Sequence, residues 1–191
     1  ARIQSGRMWF NGRDLTALTE DQMRDVRWRE VAVVFQGALN ALNPVQPVGQ
    51  QVVEPIMIHE AGIAEGQAMR RASELMDAVG IPASRFTSYP HEFSGGMRQR
   101  VMIARALAQE PRILLLDEPA AFLDLNHQIE TAQLIQDLRR ERGLTVILVS
   151  HDLNLAGLLC DRLLMLNQGS LVRSGTPSET IHPDIVRAIY N

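Results

Sequence analysis

Two adjacent carboxylates at the end of an aliphatic run are the strongest chemical signal in this chain: Ile113-Leu114-Leu115-Leu116-Asp117-Glu118-Pro119. The run predicts a buried strand, and in open parallel sheets the carboxyl ends of the strands are where ligands bind. There Asp117 can hold a hydrated Mg²⁺, which keeps most of its waters and takes only one or two protein carboxylates. Glu118 can orient or deprotonate a water for attack on a phosphoryl group. A strand followed by a helix-capping acid pair is the plainer reading of the same residues. A second signal is Ser94-Gly95-Gly96-Met97-Arg98-Gln99-Arg100, a hydroxyl and two glycines immediately before a helical pattern. Glycines let the backbone approach an anion, and free amides with the helix dipole stabilise phosphate charge. Alone, such a segment also serves as a flexible connector.

Three further residues gain meaning from position. His151 follows the apolar run 145–150 and emerges at the same sheet edge as Asp117 if the two strands are parallel neighbours, where an imidazole can bond a terminal phosphate or sense its loss. Gln36 closes the apolar run Val31 to Phe35 and can reach a metal or an attacking water. Asp124, seven residues past Asp117, is placed either to act at the site or simply to cap the helix that starts near Asn126.

The elements that must carry these side chains follow from patterning. Arg2 to Leu15 reads as hairpin strands around Ser5-Gly6 and Asn11-Gly12. A short helix over 19–26 is capped by Thr19, and Val31 to Phe35 forms a buried strand. From Pro47 to Glu92 strand signals vanish and a helical lobe is expected, with Val48, Val52 and Ile56 on one face and Met69, Ala72, Leu75, Met76 and Val79 on another. Helix 98–109, strand 113–116, helix 126–142, strand 144–150, helix 153–160 and strand 162–167 then alternate, which predicts a mostly parallel sheet with crossover helices. The continuous aliphatic strands predict a sheet covered on both faces. A short amphipathic helix carrying Ile181, Ile185, Val186 and Ile189 closes the chain.

Composition sets outer limits. The 191 residues, 46% hydrophobic and 21% charged, fit one globular domain and exclude collagen-like and disordered classes. The longest apolar run has five residues where a membrane span needs about 20. One cysteine, Cys160, excludes an intrachain disulfide and fits a cytoplasmic setting. A net charge of −3 argues against a nucleic-acid partner. All 19 basic residues are Arg, so any mechanism requiring a lysine on this chain is excluded.

Taken in order, Gln36, Ser94 to Arg100, Leu114 to Pro119, Leu123-Asp124 and Ser150-His151-Asp152 resemble the nucleotide-binding subunit of ATP-binding cassette (ABC) transporters over essentially the whole chain. The resemblance implies an α/β fold of the P-loop NTPase, ABC type, with N-terminal antiparallel strands and Q-loop over 1–46, an inserted helical subdomain over 47–95 and the remaining core over 96–191. It implies that Gln36 is the Q-loop glutamine, contacting metal or water, and that Ser94, Gly95, Gly96 and Gln99 form the signature motif that binds nucleotide. It further implies that Asp117 is the Walker B metal ligand, Glu118 the catalytic base, Asp124 the D-loop aspartate and His151 the switch histidine. ATP and Mg²⁺ are the implied cofactors. The implied partners are transmembrane permease subunits, met through the helical subdomain, a second cassette paired head to tail and, indirectly, a solute-binding protein. The implied location is the inner face of the cell membrane, as a peripheral cytoplasmic subunit.

The departures are specific. The family's phosphate loop, G-x-x-x-x-G-K-[ST], cannot exist in a chain without lysine. The expectation is therefore a chain beginning just past that loop's helix, lacking a central strand and the adenine-stacking aromatic, and binding ATP weakly in isolation. Ala120-Ala121-Phe122 stands where the family usually has Thr-Ser/Thr-Ala. Phe35-Gln36 through Leu42-Asn43-Pro44-Val45, and Tyr89-Pro90-His91-Glu92-Phe93, resemble importers of oligopeptides, dipeptides and nickel, whereas His151 to Ala156, Gly175-Thr176-Pro177 and 185–191 resemble importers of siderophores or cobalamin. The resemblance thus implies an importer ATPase for peptides or nickel, with a non-catalytic cassette lending its signature motif to a partner as the alternative.

Overall fold

A computed structural model describes residues 5–36, 41–121 and 123–190. The chain opens with a minimal hairpin, β1 (Trp9–Phe10) and β2 (Arg13–Asp14), turned by Asn11 and Gly12, both at positive φ as a tight primed turn requires. Of the two turn signals in this region, only Asn11-Gly12 closes a hairpin among the described residues; Arg2 to Gln4 lie outside them. Helix α1 (Glu20–Arg29) starts from a reciprocal capping box between Thr19 and Gln22 and runs one turn beyond its expected end. It feeds β3 (Val31–Val34).

Two helices follow, α2 (Val48–His59) and α3 (Glu65–Ala78), then α4 (Gly95–Leu107). Their apolar stripes close one core around Val48, Val52, Ile56, Ala72, Met76 and Val101. Met69 does not join it and is 42% exposed. Ala68 takes that place because it lies four residues, about one helical turn, before Ala72, while Met69 is rotated about 100° from Ala68.

The second core lies under a sheet in the order β3, β4 (Ile113–Asp117), β5 (Thr145–Val149), all parallel. The connection from β3 to β4 runs through α2, α3 and α4, and that from β4 to β5 is α5 (Leu125–Arg142), ended by Gly143 in the left-handed conformation with Arg139, Arg140 and Arg142 in its last turn; α6 (Leu153–Leu159) follows β5. Ala32, Val34, Leu114 and Leu116 face α4, α5 and α6 through Ala106, Ala132, Ile135, Leu155 and Leu159. The opposite face departs from the expectation of two covered faces: Val33, Ile147 and Val149 are exposed, the last two by 48% and 58%. The aliphatic runs are continuous, but the described helices that pack on this sheet lie on one side of it.

The strand expected at 162–167 also departs from the parallel pattern. It forms β6 (Leu163–Asn167), which pairs antiparallel with β7 (Ser170–Gly175). Gln168 and Gly169 both adopt positive φ, so the chain reverses in two residues and no crossover is possible. The closing segment is split into α7 (Pro177–Thr180) and α8 (Pro183–Tyr190), because Pro183 starts a new helix.

Candidate active site

Parallel registry brings the strand-end residues together. Val34 pairs with Leu116 and Asp117 with Val149, so the chain leaves β3 toward Gln36, β4 toward Glu118 and β5 toward His151 at one edge. Glu118 turns sharply out of the strand at φ +49, its amide donating to the Val149 carbonyl at 2.9 Å. A bulky residue in that conformation is an outlier, and such backbone strain concentrates at functional sites.

The turn aims the Glu118 carboxylate at His151. Its Oε1 accepts from the His151 backbone N–H at 2.9 Å and from ring Nδ1 at 2.6 Å. Glu118 is nearly covered, 14% exposed at the side chain, whereas the imidazole is 79% exposed. The hydrogen bond to Glu118, and then its charge, raise the His151 pKa above the ordinary imidazole value. The Glu118 carboxylate and the imidazole thus form one unit, the imidazole facing outward and the carboxylate held behind it. Asp117, half-buried at the end of β4, stands next to this pair in the chain. Gln36 is exposed just past β3.

The remaining site residues form a second group where the first turns of α4 and α5 meet. Ser94 caps α4 by accepting from the Met97 N–H at 3.3 Å. Gly96 and Gln99 are buried. Asp124 is the N-cap of α5, accepting from the His127 N–H at 3.0 Å, so its capping role is realised. That hydrogen bond, ahead of the one from the ring, lowers the Asp124 pKa. Two residues escaped the sequence reading. His127 lies against Gly96, and Gln51, only 2% exposed in α2, holds the segment 43–46 by hydrogen bonds to Asn43 and Gln46. A polar residue inside the otherwise apolar face of 48–56 was the available signal for Gln51.

Among the described residues no cluster of three or more His, Cys, Asp or Glu side chains gathers as a metal cage. The donor set suits Mg²⁺ better than a cage-bound metal, since a single strand-end carboxylate, Asp117, is the kind of protein ligand Mg²⁺ takes alongside water and phosphate oxygens. For ATP the fit is partial: the α4 N-terminus offers phosphate-directed amides, while the lysine-bearing loop has no counterpart in the sequence.

Residues 1–121 match the ABC transporter family. The chain belongs to this family. It is 40% identical over 182 residues to an oligopeptide transport ATP-binding protein, OppD, of Bacillus subtilis, covering 94% of this chain and 51% of that protein. It is 35% identical to a dipeptide transport ATP-binding protein, DppD, of Lactococcus lactis over 184 residues, 95% of this chain and 53% of that protein. The chain therefore spans about half the length of the curated relatives it matches. Among solved structures it resembles the ATP-binding cassette MJ0796 in a dimeric post-hydrolysis state with ADP and Pi, at TM-score 0.80 and 30% identity, covering 91% of this chain and 74% of that one. It also resembles cbiO1 of Clostridium perfringens, part of the transporter complex cbiONQ, at TM-score 0.84 and 28% identity over 96% of this chain and 70% of that one. The shared fold is the α/β cassette expected from the sequence.

Proposed function

We propose that this ABC chain belongs to the ATP-hydrolysing subunit that energises a peptide importer. The observation that carries the reading is the Glu118–His151 pair, bonded at 2.6 Å beside Asp117 on the carboxyl edge of the parallel sheet. Asp117 would hold Mg²⁺, which when bound supplies charge stabilisation to the phosphates. Glu118 acts on the attacking water, His151 reports the terminal phosphate, and Gln36 reaches water or metal from the neighbouring strand. Ser94, Gly95, Gly96 and Gln99 face the nucleotide of a second cassette, which accounts for their grouping with Asp124 apart from the strand edge.

Peptides are favoured as cargo over nickel, siderophores or cobalamin by the oligopeptide and dipeptide transporters to which the chain is similar. The partners of this reading are permease subunits, a second cassette and a solute-binding protein, and its location is the cytoplasmic face of the cell membrane. Among the described residues no helix is long and apolar enough to cross a membrane. A groove of about 270 Å³ between β3, α2 and α4, lined by Val33, Glu54, Ile58, Met102 and Arg105, lies where the helical lobe, residues 47–95, meets the sheet and supports docking of a permease there.

The test is ATP hydrolysis by the permease-bound complex. Glu118→Gln is expected to lower kcat by at least about 10²-fold, the usual loss for one electrostatic or proton-transfer group, while ATP still binds. Parental turnover by that variant refutes the assignment. A second reading, a non-catalytic cassette that lends Ser94 to Gly96 to a partner, is separated by the same variant. It predicts that Glu118→Gln is silent while Ser94→Ala impairs the complex.

A further inference from the structure

The contact between the first turns of α4 and α5 contains a residue that the proposed chemistry does not use. A Cβ added at Gly96 would come within 2.9 Å of His127 Cδ2 and 3.5 Å of its Cγ, so the imidazole lies directly on the glycine's bare backbone. The ring is not free to swing. Its Nδ1 donates to Asp124 Oδ1 at 2.8 Å, and the same oxygen accepts the His127 backbone N–H at 3.0 Å. One carboxylate oxygen thereby fixes both the backbone and the ring. One turn further along the same two helices, Arg100 Nη2 donates to Glu130 at 2.6 Å. Arg100 also reaches the Val79 carbonyl at the end of α3 at 3.4 Å. The seam thus has two rungs, and the His127 rung is the one at the N-terminus of α4.

We propose that His127 is a positioning residue: anchored by Asp124 and pressed on Gly96, it sets where the N-terminal turn of α4, with Ser94 at its cap, stands relative to α5. This deepens the proposed function and rests on it for its effect on turnover. Gly96 has no side chain of its own, so how closely the two helix starts approach is decided by what its neighbour places there. Removing the ring opens the seam at the turn that presents amides to phosphate, where misplacement by about 1 Å can cost about 10²-fold in rate. Leu123 meets a Cβ at Gly95 only at ordinary contact, 3.8 Å, and does not replace the ring.

Two measurements decide the proposal. In the permease-bound complex, His127→Ala is expected to lower kcat for ATP at least about fivefold with KM within about twofold, because the variant displaces the α4 turn without removing a side chain that binds nucleotide. His127→Asn, whose amide can still donate to Asp124, is expected to recover at least half of the loss. In the full chain, amide hydrogen exchange over Gly95 to Gln99 is expected to quicken in His127→Ala but not in the neighbouring control Asn126→Ala. If His127→Ala fails to fold, His127→Asn and His127→Gln carry the comparison, and Gln, with its longer reach, is expected to disturb the exchange of the α4 turn more than Asn. Unchanged exchange in the folded variants, or a loss of thermal stability without a change in kcat, overturns the proposal. A parental complex that does not hydrolyse ATP refutes the functional reading instead, and the exchange experiment then still decides the positioning role.

Discussion

Gln51 offers the sharpest quantitative test of how this fold holds its site. The residue is buried in α2, and its side-chain amide is fully employed: Oε1 accepts from the Asn43 N–H at 2.8 Å, and Nε2 donates to the Asn43 and Gln46 carbonyls at 3.0 and 2.9 Å. These three bonds tie the loop 41–47 to the helical lobe. Gln51→Met keeps nearly the same volume and removes all three. At about 0.5–1.5 kcal/mol net per hydrogen bond the sum is about 1.5–4.5 kcal/mol. Asn43 is exposed, so water replaces part of what is lost there and the expected cost falls to about 2–3 kcal/mol. For a chain of this size that lowers Tm by about 4–12 °C. Thermal unfolding by circular dichroism reads the shift, and amide exchange at Asn43 reads release of the loop. Gln51→Glu, which keeps the acceptor but turns a carboxylate toward two carbonyls, is expected to cost more than Met at neutral pH. A Tm drop under about 2 °C with undiminished protection at Asn43 refutes the reasoning.

Two further outcomes follow from the geometry. The raised His151 pKa means that its pairing with Glu118 stabilises the fold fully below the ordinary imidazole value of 6.5 and is lost as pH rises through the folded value. Titration of His151 by NMR is expected to give a midpoint above 6.5 that falls toward 6.5 in Glu118→Gln, and a parental midpoint at or below 6.5 contradicts the pairing. Gly49→Ala would place a Cβ 2.4 Å from the Phe86 ring, which cannot easily retreat because the Gly49 N–H donates to the Phe86 carbonyl at 2.9 Å. The expected cost is about 1–3 kcal/mol, read by thermal unfolding, and Phe86→Ala should recover part of it in the double variant.

The amino-acid sequence alone determined the features that depend on neighbours along the chain. Asn11-Gly12 has the φ freedom a two-residue turn needs, Thr19 and Asp124 can cap the helices that follow them, and a run such as 113–116 must bury at least one face. The motif residues are equally visible because their chemistry lies in residue type and spacing, and family membership follows from them. Pairing between distant segments was decided by the tertiary structure. Only the β4–β5 register puts the Glu118 carboxylate 2.6 Å from the His151 imidazole, and only the approach of α4 to α5 brings His127 against Gly96. The direction of β6 depended on whether residues 168 and 169 took positive φ, which Gln168 does not announce. Local patterns are written in backbone sterics and side-chain periodicity, whereas a contact between residues 30 or more positions apart depends on how two packed elements settle against each other, and no single stretch of sequence contains that information.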